Sequence, residues 1–380
     1  MLDLCNLNNE PRNRVKGFAG IAVICAGFVM AGGMPAQQPG VGNKSTPTFT
    51  TFEVPGAETG AGQGTFGASL NTAGAIPGVF LDSNNMDQGF LRNPTSGVMT
   101  TFGVPGGSYN THALSVNSAG VVAGFYSDAS LTNHGFVRAA GGTIATFDAP
   151  GAGTGSFRGT FGINIDTAGA VTGYYQDANG ASHGLLRAAN GTMTAFEAPG
   201  AGTGNGQGTQ AFMSDNAGTA VGYYVDASNV AHGFVRDHSG TITSFDGPGA
   251  TWTSAGAINS AGVVTGWYSD ASNVYHGFVR AAGGAIATFD APGAGTGAYQ
   301  GTIADDIDTA GDIIGYYVGA GNAAHGFVRA AGGAITTFHA PGEGAGANQG
   351  TFPQTINTAG SIAGWYVDAG NVGHGFLLTP

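Results

Sequence analysis

The stretch Tyr223–Arg236, YYVDASNVAHGFVR, decides the fold because the chain repeats it. Its His-Gly-Phe step stands at His134, His232, His276, His325 and His374. It becomes His183-Gly184-Leu185 in one copy and Gln88-Gly89-Phe90 in another. The copies follow one another at intervals of 46, 49, 49, 44, 49 and 49 residues. A period of that length marks a repeat architecture, in which each unit covers its apolar faces only by stacking on neighbours.

Outward from this step, a unit reads as four short strands. In residues 157–200 they are expected over 161–165, 170–176, 183–187 and 192–197, each with the alternation and β-branched or aromatic content of a strand. Between the first two lies an N/D-x-A-G turn, found at Asn71, Asn117, Asp166, Asp215, Asn259, Asp308 and Asn357. There an Asn or Asp side chain bonds the backbone ahead and Gly accepts a positive φ. The fourth strand ends in a Phe-x-x-Pro-Gly step, as in ATFDAPG at 145–151 and 287–293. The first copy of that strand, TFTTFEV at 48–54, precedes the first complete unit, and nothing equivalent follows His374. The repeat is cut out of phase, as a closed ring needs. An open solenoid would instead carry distinct capping ends. The expected fold is all-β: a seven-bladed β-propeller of 44–49-residue four-stranded repeats, its last blade closed by the N-terminal strand. Phe136, Phe234, Phe278, Phe327 and Phe376, with the aromatic pairs such as Tyr174/Tyr175 and Trp365/Tyr366, are expected between blades.

Composition agrees with a packed, exported protein. Gly is 71 of 380 residues without a collagen period, and only 9% of residues are charged, which excludes charge-driven disorder. Residues 1–36 read as a signal peptide: Arg12, Arg14 and Lys16 flank the apolar run Gly17–Gly33, and Ala36 offers a cleavage point. Residues 37–47 read as a linker and 48–380 as a single propeller domain. Both cysteines, Cys5 and Cys25, lie in the leader, so the mature chain has no disulfide or thiol chemistry. The formal charge of −12 argues against nucleic acid and anionic membranes as partners. A secreted or cell-surface monomer is expected, with no stable membrane insertion once the signal is removed.

The pattern [IVL]-[ND]-x-x-G-x-[VI]-x-G-x-[YF]-x-D-x₅-H-G-F-V-R, complete at residues 256–280, resembles the HAF family of probable extracellular repeats in bacteria. The resemblance covers nearly all of 48–380. It implies export and a propeller-like repeat and carries no biochemical activity with it. The chain has Gly where the family name implies Ala.

The candidate chemistry is sparse. Asp128, Asp177, Asp226, Asp270 and Asp368 each stand six residues before His134, His183, His232, His276 and His374. One Asp and one His are too few ligands for a metal, so these are read as structural pairs across a hairpin, with no metal and no cofactor expected. Arg92, Arg138, Arg187, Arg236, Arg280 and Arg329 are expected to pair locally with acids such as Asp148, Glu197 or Asp290, or to lie in solvent. Five long Gly-rich loops lack the phosphate-binding pattern. Their residues Gln63, Arg158, Gln207, Tyr299, Gln300 and Gln349, with Trp252, are the candidate ligand-binding set, a polar and aromatic composition that suits sugars. Carboxylates at Asp305, Asp306 and Asp308, or at Asp166 and Asp177, are candidates to face a central channel, but no catalytic motif appears. The expected function is a secreted, non-catalytic binding or surface-interaction module for an extracellular glycan or protein. The alternatives are a propeller enzyme acting on polysaccharide and a structural envelope component.

Overall fold

A computed structural model describes residues 47–105 and 109–380. The expected signal peptide, and all but the last residue of the expected linker, lie outside the described residues. Every regular element among the described residues is a strand, and the strands form seven four-stranded antiparallel blades. Six blades are continuous, at residues 65–102, 109–147, 159–196, 208–245, 252–289 and 301–338. The seventh combines residues 350–379 with Thr48–Phe52 from the start of the described chain. The closing register runs from Thr48 opposite Thr379 to Phe52 opposite Gly375.

Blade 3 shows the plan. The inner strand Gly159–Ile165 pairs with Val171–Gln176, that with Ser182–Arg187, and that with the outer strand Met193–Phe196. Inner strands of adjacent blades touch around the axis. Six of the seven carry a bulge, between Gly162 and Asn164 in blade 3, which bends the strand; the three-residue inner strand of blade 1 has none. At six of the seven junctions a single parallel bridge ties the third strand of one blade to the inner strand of the next, as at Asn133 and Gly159; blades 1 and 2 pack together without one among the described residues. Gly159 has φ +118°, and a Cβ there would stand under 3.0 Å from the Asn133 backbone. That close approach explains why five of the long loops end in Gly-Thr. The bridge between Gly64 and Gly373 joins blade 7 to blade 1, so the ring is closed.

The turn after each inner strand adds a second tie. The buried amides of Asn71, Asn117, Asn259 and Asn357 donate to the backbone carbonyls of Asn117, Asp166, Asp308 and Asn71 in the next blade. Asp stands at 166, 215 and 308 and has no N–H for this bond.

Between blades the packing is aromatic. Phe90, Phe136, Phe234, Phe278, Phe327 and Phe376 are fully buried. Phe278 meets the outer-strand Phe245 of blade 4 edge-on at 5.6 Å, and Phe327 meets Phe289 of blade 5 at 5.9 Å. Each such outer-strand ring lies over the glycine of its own His-Gly-Phe step. A Cβ at Gly135, Gly184, Gly233 or Gly277 would come under 3.0 Å from that ring. The Gly of the His-Gly-Phe step is therefore a packing requirement.

The other side of the same ring takes an arginine. The guanidinium of Arg138, Arg187, Arg236, Arg280 or Arg329 stands 4.7–5.0 Å from the outer-strand Phe of the preceding blade, and Arg92 stands 5.3 Å from Phe52. This corrects the expected pairing with Asp148, Glu197 and Asp290. The third strand is six residues long, with its His near one end and its Arg at the other, and the acids lie beside the His. Cation–π contacts of this kind contribute about 0.5–2 kcal/mol each. The aromatic pairs on the second strand divide their work. Tyr174 stacks on Phe161 and Tyr175 on His183, both at 4.6 Å within blade 3, and Phe161 carries the contact on to Phe125 of blade 2 at 5.1 Å.

Candidate functional site

The long loops between blades and the hairpins joining second to third strands meet on one face of the ring. In blade 4 the hairpin is built by Asp226, whose Oδ1 accepts from the N–H of Ser228 and of Val230 at 2.8 and 2.9 Å. Those N–H donors hold the Asp226 carboxyl below its ordinary range, against an opposing effect of burial. Its Oδ2 faces His232 Nε2 at 3.7 Å. The equivalent distances are 3.5 Å for Asp128–His134, 3.7 Å for Asp177–His183, 3.8 Å for Asp270–His276 and 3.3 Å for Asp368–His374. Most are too long for hydrogen bonds.

In blades 2 to 5 the nearer partner of the His is an acid at the end of the outer strand, 14 residues on, and in blade 7 it is the equivalent Glu53 on the N-terminal strand. His134, His232 and His276 present Nδ1 to Asp148, Asp246 and Asp290 at 2.7, 2.9 and 2.9 Å. His183 and His374 contact Glu197 and Glu53 in the same way. Each imidazole thus lies between two carboxylates and against a tyrosine, an arrangement that fixes the hairpin.

Blade 1 changes both ends together. Gln88 replaces His and donates to Asp82 at 3.2 Å, and Gly103 replaces the outer acid. Blade 6 also changes: Gly319 stands for the hairpin Asp and His339 for the outer acid.

The candidate glutamines are occupied within the loops. The Oε1 of Gln63, Gln207, Gln300 and Gln349 accepts from the N–H of Gly60, Gly204, Gly297 and Gly346. Their Nε2 donates to Asn85, Asn229, Asn322 and Asn371 on the hairpin of the same blade, at 3.0, 2.9 and 3.0 Å in the last three. These residues latch loop to hairpin. Trp252 packs on Tyr223 at 5.1 Å and Tyr299 lies 6.5 Å from Tyr275, so both are half-buried members of the interblade belt.

Blade 3 departs from the latch. Arg158 stands where the glutamine would be and Gly180 where the asparagine would be. The guanidinium lies across Gly180, where a Cβ would collide with it, and one N–H donates to Asn205 Oδ1 of the next loop at 2.8 Å. Beside it Phe157 has φ +61° and is 42% exposed. A non-glycine residue in this region costs roughly 1–2 kcal/mol, and exposing a Phe ring gains nothing for the fold. Phe157 thus offers an exposed aromatic face beside the guanidinium of Arg158, which is bonded to the Asn205 amide oxygen. Of these, the sequence reading singles out only Arg158.

The carboxylates of the inner strand do not converge. Asp306 Oδ2 accepts from Thr355 Oγ1 and the Ile356 N–H of blade 7, both at 2.9 Å. Burial pushes its pKa up to about 6 against those bonds. The pKa of Asp305, next to it, is also raised well above its ordinary value, by burial and by Asp306, and its Oδ2 has no hydrogen-bond partner. Asp308 and Asp166 accept backbone N–H bonds in the turns after their inner strands. Asp177 lies in a hairpin at the opposite end of the second strand.

No family model and no curated protein sequence matches the chain. Solved structures do. The BP39L lectin from Burkholderia pseudomallei is 10% identical with a TM-score of 0.53, over 83% of this chain and 96% of its own. The Aleuria aurantia lectin, a six-bladed β-propeller with a novel fucose recognition mode, is 16% identical with a TM-score of 0.41, over 76% of this chain and 96% of its own. AofleA from Arthrobotrys oligospora is 13% identical with a TM-score of 0.44, over 77% and 90%. At such identities the likeness to BP39L establishes the propeller fold alone.

Proposed function

We propose that the chain is an exported, non-catalytic propeller that binds an extracellular glycan at the loop face of blade 3. Membership of the extracellular HAF repeats belongs to the same proposal. The observation that carries it is Phe157, a strained and exposed aromatic ring beside Arg158 and Asn205. A sugar offers an apolar C–H face and an edge of hydroxyls, which an aromatic platform flanked by guanidinium and amide groups complements. The propeller lectins among the similar structures support the reading, because they bind sugars on the same architecture.

Thermal unfolding of the chain against a panel of oligosaccharides, with and without Ca²⁺, tests it. A ligand at 100 times its dissociation constant adds about 2.7 kcal/mol, so one sugar class should raise the midpoint. No shift with any sugar would sink the glycan reading and leave a protein partner or a structural role.

One observation favours an enzyme as the second reading: the unpartnered Asp305, whose raised pKa suits a proton donor. If polysaccharide hydrolysis is detected and Asp305→Asn does not remove it, that reading fails.

A further inference from the structure

We propose that blade 6 holds a zinc-class divalent cation between His325, His339 and Glu343. The regular blades supply the background. There a His faces an outer-strand carboxylate, and the residue after the following Pro-Gly is Ala57, Ala152, Ala201 or Ala294. Blade 6 breaks the repeat at three positions at once: Gly319 for Asp, His339 for the acid and Glu343 for Ala. The last two changes meet in space at His325.

The Nδ1 atoms of His325 and His339 stand 3.4 Å apart. Glu343 Oε1 lies 2.6 Å from His339 Nδ1 and 3.9 Å from His325 Nδ1. All three ligand atoms fall within 4.8 Å of one another. Two ligands on a tetrahedral Zn²⁺ at 2.0–2.1 Å stand about 3.4 Å apart, so the imidazole pair already has the spacing and the carboxylate needs a small shift.

Protons satisfy this arrangement poorly. If His339 Nδ1 donates to Glu343, it has nothing left with which to accept from His325 across their 3.4 Å contact. A cation meets all three lone pairs together.

The ligands are also held. His325 packs on Tyr317 at 5.0 Å, and Thr351 Oγ1 bonds the other oxygen of Glu343. Glu343 itself is pinned by a backbone bridge to Asp368. Support of the ligands from behind is the usual companion of a metal site. His339 is 52% exposed, which leaves a fourth position open to water or to a ligand atom. Two imidazoles and one carboxylate suit Zn²⁺, Ni²⁺ or Cu²⁺ and disfavour Ca²⁺ and Mg²⁺, which take oxygen ligands.

The test compares the full chain with the double variant His339→Asp/Glu343→Ala, which restores the pair seen in blade 5 and so keeps a fold the molecule already uses. Calorimetric titration with Zn²⁺ alone should show one site per chain in the wild type, weakened by roughly 100-fold or more in the variant. Co²⁺ should give a visible absorption band only in the wild type. Unchanged unfolding midpoints in chelator would confirm that the variant is folded; if it is not, His339→Ala serves in its place. Cys5 and Cys25 are common to both proteins, so the difference isolates blade 6. Equal affinity and stoichiometry in wild type and folded variant, or no Zn²⁺ binding by the wild type, would overturn the proposal.

Discussion

Blade 4 and blade 3 are built on the same plan, and they differ where loop meets hairpin. In blade 4, Gln207 bonds Asn229 and closes the loop on its own hairpin. In blade 3 the two contacting positions have changed together, to Arg158 and Gly180, and the arginine crosses to Asn205. Blade 6 shows the same behaviour at another pair, where His325 faces His339 in place of a carboxylate. Residues repeated around the ring are architecture. Paired departures from the repeat, at positions that touch, are where the ring is free to carry a site.

The largest expected effect tests the ring that both kinds of blade share. Deleting residues 48–54 removes the strand that closes blade 7, with the buried Phe52 and Val54. At about 1.5–3 kcal/mol for each buried apolar side chain, plus the lost strand pairing, the cost is on the order of 5 kcal/mol. The denaturant midpoint should fall sharply; an unchanged midpoint would refute closure.

A smaller effect separates two kinds of glycine. Gly277→Ala pushes a methyl group into Phe289 and should cost roughly 1–3 kcal/mol. Gly319→Ala in blade 6 meets its nearest neighbours at 3.6 Å and should be close to neutral in chemical denaturation. Equal costs would remove the packing reason for His-Gly-Phe.

The smallest is a pH effect confined to one inner strand. Asp306 has its pKa raised from 3.8 to about 6 in the folded protein. A raised carboxyl contributes stability that is full below pH 3.8 and is lost as pH rises through 6. Asp306→Asn keeps an acceptor for Thr355 and Ile356 without the charge but loses the second oxygen, which accepts from the Ile307 N–H at 2.8 Å. Its stability relative to wild type should be lowest near pH 4 and rise by about 1 kcal/mol or more toward pH 7.5, as wild-type Asp306 ionises. A difference that does not change with pH would show that Asp306 is not titrating in this range.

The fold was legible because the repeat fixes it. The His-Gly-Phe period sets the blade number, and the out-of-phase TFTTFEV sets the closing strand. The site was less so, for three physical reasons. The acid that pairs with the His of blades 2 to 5 is 14 residues away across a strand pair, and that of His374 is at the other end of the chain, whereas the hairpin Asp at six residues is nearer in sequence and farther in space. The loop glutamines have the composition of a binding surface, yet the Gln-to-Asn spacing of 22 residues around the ring marks a latch. Arg158, His339 and Glu343 were visible as departures, but only the strand register shows which departures touch. Phe157 shares a column at positive φ with Gly62, Gly206, Tyr299 and Asn348, and it differs from Tyr299 in being exposed, which the sequence does not show.

The most direct measurement is the affinity of the stabilising sugar for the triple variant Phe157→Gly/Arg158→Gln/Gly180→Asn, which rebuilds in blade 3 the latch of blade 4. Without sugar the midpoint should equal or exceed that of the wild type, because Gly relieves the strain at 157, and the sugar-induced shift should be lost. The same shift in the variant would contradict a glycan site on blade 3.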